Sequence, residues 1–115
     1  MKTDLLDRLI QQRRDRSENA RLLALQKVQQ WLNEKGVDYG ITQAWIFGSL
    51  TRPGHFHERS DVDIAINSIK PEHYFVAISL LSTWLERDVD LIELAKCPFQ
   101  QRIHETGIAW TATPG

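Results

Sequence analysis

Two apolar runs of the sequence are separated by a Gly-Ser pair and an Asp-x-Asp pair, and this order constrains the fold most. The first run ends at Gly48-Ser49, and Asp61-Val62-Asp63 opens the second. Side chains two apart in a strand project to the same face, so Asp61 and Asp63 are expected to aim their carboxylates together. Two like charges about 4 Å apart repel by ~4 kcal/mol at an effective dielectric of ~20. The pair therefore shares a proton or binds a cation.

The remaining periodicity predicts the element order α-β-β-α-β-α-β. This order indicates an α/β or α+β domain in which helices flank a small mixed sheet. The second helix is expected to bury one stripe of Phe75, Ile78, Leu81 and Leu85. The predicted elements are a helix over residues 4–34, strands over 42–47 and 62–67, a helix over 71–86, a strand over 88–94, a helix from Pro98 through Ile103 ended by Gly107, and an edge strand over 108–111.

The N-terminal helix is long or kinked. Its apolar positions form two groups, residues 5–10 and 20–32, and the segment Gln11 to Asn19 between them is entirely polar. Either one helix crosses this segment, or two helices meet near Ser17. One helix of ~30 residues would measure ~45 Å, which exceeds the width of so small a domain. Residues 1–19 would then form a helical extension that a partner can contact.

Length and composition limit the remaining classes. The 115 residues predict a single domain over 1–115. A net charge of -1 gives no basic field for direct nucleic-acid binding. No apolar run reaches the ~20 residues that span a bilayer, so no membrane partner is expected. The lone Cys97 cannot form an internal disulfide, which suits a cytoplasmic protein.

A phosphate-binding turn and a third carboxylate complete the candidate site. Glycine lets the backbone approach a phosphate, the Ser49 hydroxyl can donate to its oxygens, and Arg52 can add a charge-assisted contact. Mg²⁺ prefers one or two carboxylates together with phosphate oxygens, which suits Asp61 and Asp63. Asp90, flanked by apolar residues in a later strand, would complete a two-metal arrangement. Either pair alone is common, but the combination is specific to this chemistry.

Other polar side chains compete for a role in the site. Asp88 lies on the same predicted strand face as the third carboxylate, but it follows Arg87 and is expected to pair with it. His55 and His57 form a His-x-His pair without further ligands at zinc spacing, so we expect a polar loop there. No spacing rule gives His104 a role.

These motifs resemble the minimal nucleotidyltransferases (MNT domains) of the DNA polymerase β superfamily. Their pattern is Gly-Ser, ten residues and Asp-x-Asp, with an Arg shortly after the Ser and a later Asp in an apolar strand. The resemblance runs from about residue 20 to the C-terminus. Residues 50–60 make eleven intervening positions, and we expect the extra residue near Gly54 to Glu58. The matching residues are Gly48, Ser49, Arg52, Ser60, Asp61, Asp63 and Asp90.

Stand-alone MNT domains of this length resemble the antitoxin half of HEPN–MNT toxin–antitoxin pairs. The resemblance implies a nucleotidyltransferase-type fold and Mg²⁺-dependent transfer of AMP from ATP to a hydroxyl, typically a tyrosine, of the HEPN ribonuclease toxin. It implies that Asp61, Asp63 and Asp90 ligate two metal ions, and that Gly48, Ser49 and Arg52 bind the nucleotide. The toxin would be a hetero-oligomeric partner that supplies the acceptor pocket.

Two other functions fit the same residues. The chain could be a binding antitoxin that neutralises its toxin by occlusion, with a vestigial site. It could also be a small-molecule nucleotidyltransferase, for instance towards aminoglycosides, although such enzymes usually carry an extra helical domain for the acceptor.

Overall fold

The computed structural model describes residues 2–113, with side chains from residue 4 onward. The predicted order of helices and strands is confirmed, and residues 2–113 form a four-stranded sheet with three α-helices. The helices and strands are α1 (Lys2–Trp31), β1 (Gln43–Phe47), β2 (Val62–Ile66), α2 (Tyr74–Leu85), β3 (Val89–Glu93), α3 (Gln100–Thr106) and β4 (Ile108–Thr111).

The strands lie in the order β3-β2-β1-β4, so β3 and β4 are the edges of the sheet. β1 pairs antiparallel with both β2 and β4, whereas β2 and β3 are parallel. The parallel pair requires a crossover, which α2 supplies. At the β3 edge, the Tyr74 hydroxyl donates to the Leu91 carbonyl at 2.6 Å, so one backbone acceptor of this edge is already satisfied.

The two faces of the sheet are buried against different helices. On one face, Ala24 and Val28 of α1 and Leu81 of α2 pack against strand residues in the larger core cluster. On the other face, Ile103 of α3 packs against Trp45 in a smaller cluster. Alternation along the strands then places Phe47, Asp63 and Asp90 on the α3 face, in one row across β1, β2 and β3.

α1 is one continuous helix of 30 residues, which decides between the two alternatives left open by the sequence. Its second half packs on the sheet, but its first half extends beyond the domain. The molecule therefore measures 58 × 28 × 26 Å. A single wide π-helical turn, Leu32–Gly36, ends the helix and leads the chain towards β1.

The prediction that α2 buries a stripe beginning with Phe75 was wrong for that residue. Phe75 is 79% exposed, and the buried residues are Ala77, Leu81 and Leu85. These three lie at successive four-residue steps on one side, and Phe75 lies about 200° around the helix from Ala77.

Within residues 2–113, every helix is too short or too polar to cross a bilayer.

Candidate active site

The Gly-Ser pair forms a tight turn directly after β1. Residues Gly48–Thr51 make one turn of 3-10 helix, and Gly48 has a positive φ of 75°. The Thr51 hydroxyl donates to the Gly48 carbonyl at 2.8 Å, and the Arg52 N–H donates to the Ser49 carbonyl at 3.1 Å. A Cβ on Gly48 would overlap Oδ2 of Asp63. The turn and the acidic strand therefore meet at a point that only glycine fits.

Asp63 and Asp90 lie opposite each other on the parallel strands β2 and β3. Burial of the half-buried Asp63 carboxyl is the largest cause that raises its pKa, to about 6. A hydrogen bond with the Asp90 side chain and the charges of Asp90 and Asp61 account for the rest of this rise in the pKa of Asp63. The structure thus brings Asp61 and Asp90 within electrostatic reach of Asp63.

Asp61 lies in the loop before β2 and not in the strand that holds Asp63. It lies one residue before β2 and is exposed, so it is part of the loop that leads into the strand. Asp88 likewise precedes β3, and its carbonyl accepts the Val62 N–H at 3.0 Å. Asp90, not Asp88, is therefore the residue in register with Asp63.

The Gly48 turn borders a cleft with two arginines. Arg52 is exposed and lines this cleft, of about 530 Å³, together with Phe47, Phe99 and Arg102. Arg102 had no predicted role, because its position on α3 matches no spacing rule. Two guanidinium groups beside a serine-bearing turn suit an anionic ligand such as a polyphosphate.

The carboxylate cluster fits a divalent cation by its chemistry. Asp63, whose pKa is raised in part by the neighbouring Asp90 and Asp61, forms with them a donor set of carboxylate oxygens that suits a hard cation such as Mg²⁺. In the described part of the chain, no three His, Cys, Asp or Glu side chains already have the arrangement of a metal site. Asp63 and Asp90 have their backbone held in paired strands, whereas Asp61 lies in the loop before β2 and has more freedom to move towards a cation.

The histidines lie outside this cluster. His55 and His57 are exposed in the loop between the Gly48 turn and β2. His104 packs its ring edge against Trp45, with ring centroids 4.8 Å apart. This contact with the smaller core gives His104 a packing role on α3.

Arg87 holds the loop that precedes Asp61, a role that the sequence did not predict. Its guanidinium donates to three loop carbonyls, those of His57 at 2.9 Å, Glu58 at 3.0 Å and Ser60 at 3.2 Å. It also lies 4.3 Å from the centre of the buried Phe56 ring. Partial burial lowers the pKa of Arg87. The expected pairing of Arg87 with Asp88 is replaced by this set of carbonyl contacts.

Arg21 holds the Gly-Ser turn from the side of α1. It is buried, and it donates to the Leu50 carbonyl at 3.2 Å. Glu18 orients the guanidinium with bonds of 2.7 and 2.9 Å, and the hydrogen bond to Glu18 raises the pKa of Arg21. Carbonyl partners leave no pattern in a sequence, so neither Arg21 nor Arg87 could be recognised from spacing.

Comparison with known proteins gives one family and one fold. A family described as "Polymerase beta, Nucleotidyltransferase" matches residues 26–110, which include the whole candidate site. A solved structure described as "Crystal structure of the toxin-antitoxin with AMP-PNP" is similar, with a TM-score of 0.58 and 24% identity, over 76% of this chain and 73% of that chain. No curated protein matches the sequence.

Proposed function

Because the chain belongs to the polymerase beta nucleotidyltransferase family, we propose that it transfers AMP from ATP to a tyrosine hydroxyl of a HEPN ribonuclease toxin and so acts as its antitoxin. The observation that carries the proposal is the contact of Asp63 with Asp90 beside the Gly48 turn. The similar solved fold belongs to a toxin–antitoxin with AMP-PNP, so a toxin and an adenine nucleotide are the partner and substrate to test first.

Asp61, Asp63 and Asp90 would hold Mg²⁺, which when bound supplies neutralisation of the charge on the phosphates. The acceptor hydroxyl loses its proton to Asp90 as its oxygen bonds to the α-phosphorus of ATP. The bond from the α-phosphorus to its bridging oxygen then breaks, and pyrophosphate leaves with that electron pair. The products are the AMP ester of the acceptor and pyrophosphate.

The triphosphate would lie along the Gly48 turn. The Ser49 hydroxyl and the N–H groups of the turn donate to phosphate oxygens, and Arg52 and Arg102 of the neighbouring cleft supply positive charge. Arg21 keeps the turn in place by its bond to the Leu50 carbonyl. Nucleotide binding and metal binding thus use adjacent ends of β1, β2 and β3.

The proposal is tested by incubating the purified chain with ATP labelled at the α-phosphate, MgCl₂ and the toxin encoded beside it. We expect label on the toxin, lost when EDTA is added or when the toxin's acceptor tyrosine is replaced by Phe. The double variant Asp61→Ala/Asp63→Ala should transfer no label. Absence of label with the wild-type chain, or equal label with the double variant, would contradict the proposal.

Occlusion is the second candidate function, and the free first half of α1 favours it. That segment exposes apolar surface whether or not the site is active, with Leu5 61% and Leu6 58% exposed. If Asp61→Ala/Asp63→Ala protects toxin-expressing cells as well as the wild-type chain does, neutralisation occurs by binding alone.

A further inference from the structure

The first half of α1 is a helix with an uncovered apolar surface. Every side chain of residues 5–16 is exposed, and we call this segment the free half of α1. Leu5, Leu6, Leu9 and Ile10 expose 61, 58, 52 and 42% of their surface within two turns. Helical segments of about 12–15 residues are marginal in water without tertiary packing. Burying these four side chains against another surface would stabilise the segment.

The apolar face of the free half continues the face that packs on the domain. Leu6 and Ile10 lie 18 residues before Ala24 and Val28, which are both buried in the core. Since 18 residues make about five full turns, each pair lies on the same side of the helix. A surface that covers Leu6 and Ile10 would therefore lie against the end of the domain.

A positively charged corner lies between this apolar face and the site. Arg13 and Arg16 of α1 and Arg59 of the loop line a cleft of about 490 Å³, and Glu58 is the only acidic side chain on its walls. The same loop continues through Ser60 to Asp61. A ligand in this corner would thus contact an apolar patch, a cluster of arginines and the edge of the carboxylate site in succession.

We propose that this surface, the docking corner formed by Leu6, Ile10, Arg13, Arg16 and Arg59, binds a helix of the acceptor protein. That helix would carry an apolar stripe beside a cluster of Asp or Glu side chains. The proposal rests on the proposed function for the identity of the partner. It is carried by charge complementarity, because three arginines and a single glutamate line the cleft.

A second copy of the chain fits this surface poorly. Pairing two free halves through two turns each would bury much less than the ~1,200 Å² that stable interfaces need. It would also leave Arg13 and Arg16 without the carboxylates that the corner favours. A partner helix with an apolar stripe beside acidic side chains would cover Leu6 and Ile10 and would also pair with the arginines.

The test measures the affinity of the chain for the neighbouring toxin, and KM for the toxin in AMP transfer. Two variants alter the docking corner, Leu6→Asp/Ile10→Asp and Arg13→Glu/Arg16→Glu. The charge-matched control is Arg8→Glu/Arg14→Glu, which reverses two exposed arginines that lie about 140° and 100° around the helix from Arg13. We expect Kd and KM to rise about 30-fold in both docking variants and less than about 2-fold in the control.

The outcomes separate this proposal from the proposed function. If the wild-type chain transfers no AMP but the Kd values follow the expected pattern, the docking corner stands and the transferase proposal fails. If transfer occurs and neither docking variant changes KM, the docking corner is wrong. It is also wrong if the wild-type chain fails to bind the toxin, or if sedimentation shows a dimer of the chain that Leu6→Asp/Ile10→Asp dissociates. Unchanged melting temperatures verify that the variants fold.

Discussion

At the scale of single residues, Asp63 and Gly48 of the candidate site lie in unusual environments. Asp63 is partly buried next to Asp90, and its pKa is raised to about 6 because burial and neighbouring negative charge disfavour its ionised form. Gly48 leaves no room for a side chain between the turn and Asp63. The raised pKa means that the ionised Asp63 carboxyl destabilises the folded domain, and under the proposed function a bound cation would offset this cost.

Replacing Asp63 by Asn should therefore stabilise the metal-free domain at pH 7.5. The folded-state pKa of Asp63 lies above its unfolded value, so the stabilisation from its bound proton is complete below about pH 4 and is lost as pH rises through 6. Since the carboxyl is only half-buried, solvent screening limits the expected gain to about 1 kcal/mol. Thermal melts in EDTA from pH 4 to 8 measure it. A variant with the same pH slope as wild type would contradict this prediction.

Gly48→Ala should be more costly than Gly54→Ala. Both glycines have positive φ, 75° and 87° respectively, but a Cβ on Gly54 meets nothing within 4 Å. Backbone strain of about 1–2 kcal/mol is common to both, and only Gly48→Ala adds the overlap with Asp63. We expect Gly48→Ala to unfold at lower urea concentration and to lose AMP transfer, while Gly54→Ala retains transfer. Equal urea midpoints would show that the overlap relaxes freely.

At the scale of elements, the loop from Arg52 to Ser60 decides where Asp61 lies. β1 and β2 are paired on either side of this loop, with Phe47 opposite Asp63. Arg87, at the end of α2, binds three carbonyls of the loop and stacks on Phe56. One side chain thus orders the loop that carries the only site carboxylate outside a strand.

Arg87→Met should raise the Mg²⁺ concentration needed for half-maximal AMP transfer. Three loop carbonyls lose their donor, so Asp61 is held less firmly, and we expect stability to fall by about 2 kcal/mol. Arg87→Lys should recover part of the Mg²⁺ affinity, because an ammonium group still donates. Arg14→Met, on the exposed free half of α1, is the control. If the Mg²⁺ requirement of Arg87→Met matches that of Arg14→Met at a temperature where both are folded, Arg87 has only a structural role.

The sequence patterns predicted the positions of helices and strands well, but they did not predict which residues of different elements contact one another. The edge strand at Ile108–Thr111 lies where turn residues and apolar alternation placed it, because those signals are local. The continuity of α1 was undecidable, since a polar segment is compatible with a solvated helix or with a kink. The register of Asp63 with Asp90 and the bonds made by Arg87 depend on tertiary packing, which has no period in the sequence.

The whole molecule is elongated because one helix is longer than the domain it covers. Its largest dimension is 58 Å against 28 and 26 Å for the others, and α1 accounts for the difference. The same helix reaches from the free half to Arg21, which bonds to the Gly-Ser turn. The proposed docking corner and the anchor of the candidate phosphate-binding turn therefore share one element.

Deleting residues 2–10 should leave the domain folded. These side chains, from residue 4 onward, are exposed, so the melting temperature is expected to change by less than about 2 °C. X-ray scattering should show a shorter maximum dimension. Extending the deletion through Arg21 removes its bond to the Leu50 carbonyl and should lower the melting temperature by more than about 5 °C. A large loss of stability in the shorter deletion would mean that the free half supports the domain.

The anchoring of the Arg52–Ser60 loop has a practical consequence. Its tip at Gly54 faces open space, while Phe56 is buried behind it and Arg87 secures the residues that follow. A short fluorescent or affinity tag inserted after Gly54 would therefore project into solvent without displacing Asp61. This position offers a reporter two residues from Arg52 of the candidate site, with which nucleotide binding could be tested by quenching or energy transfer.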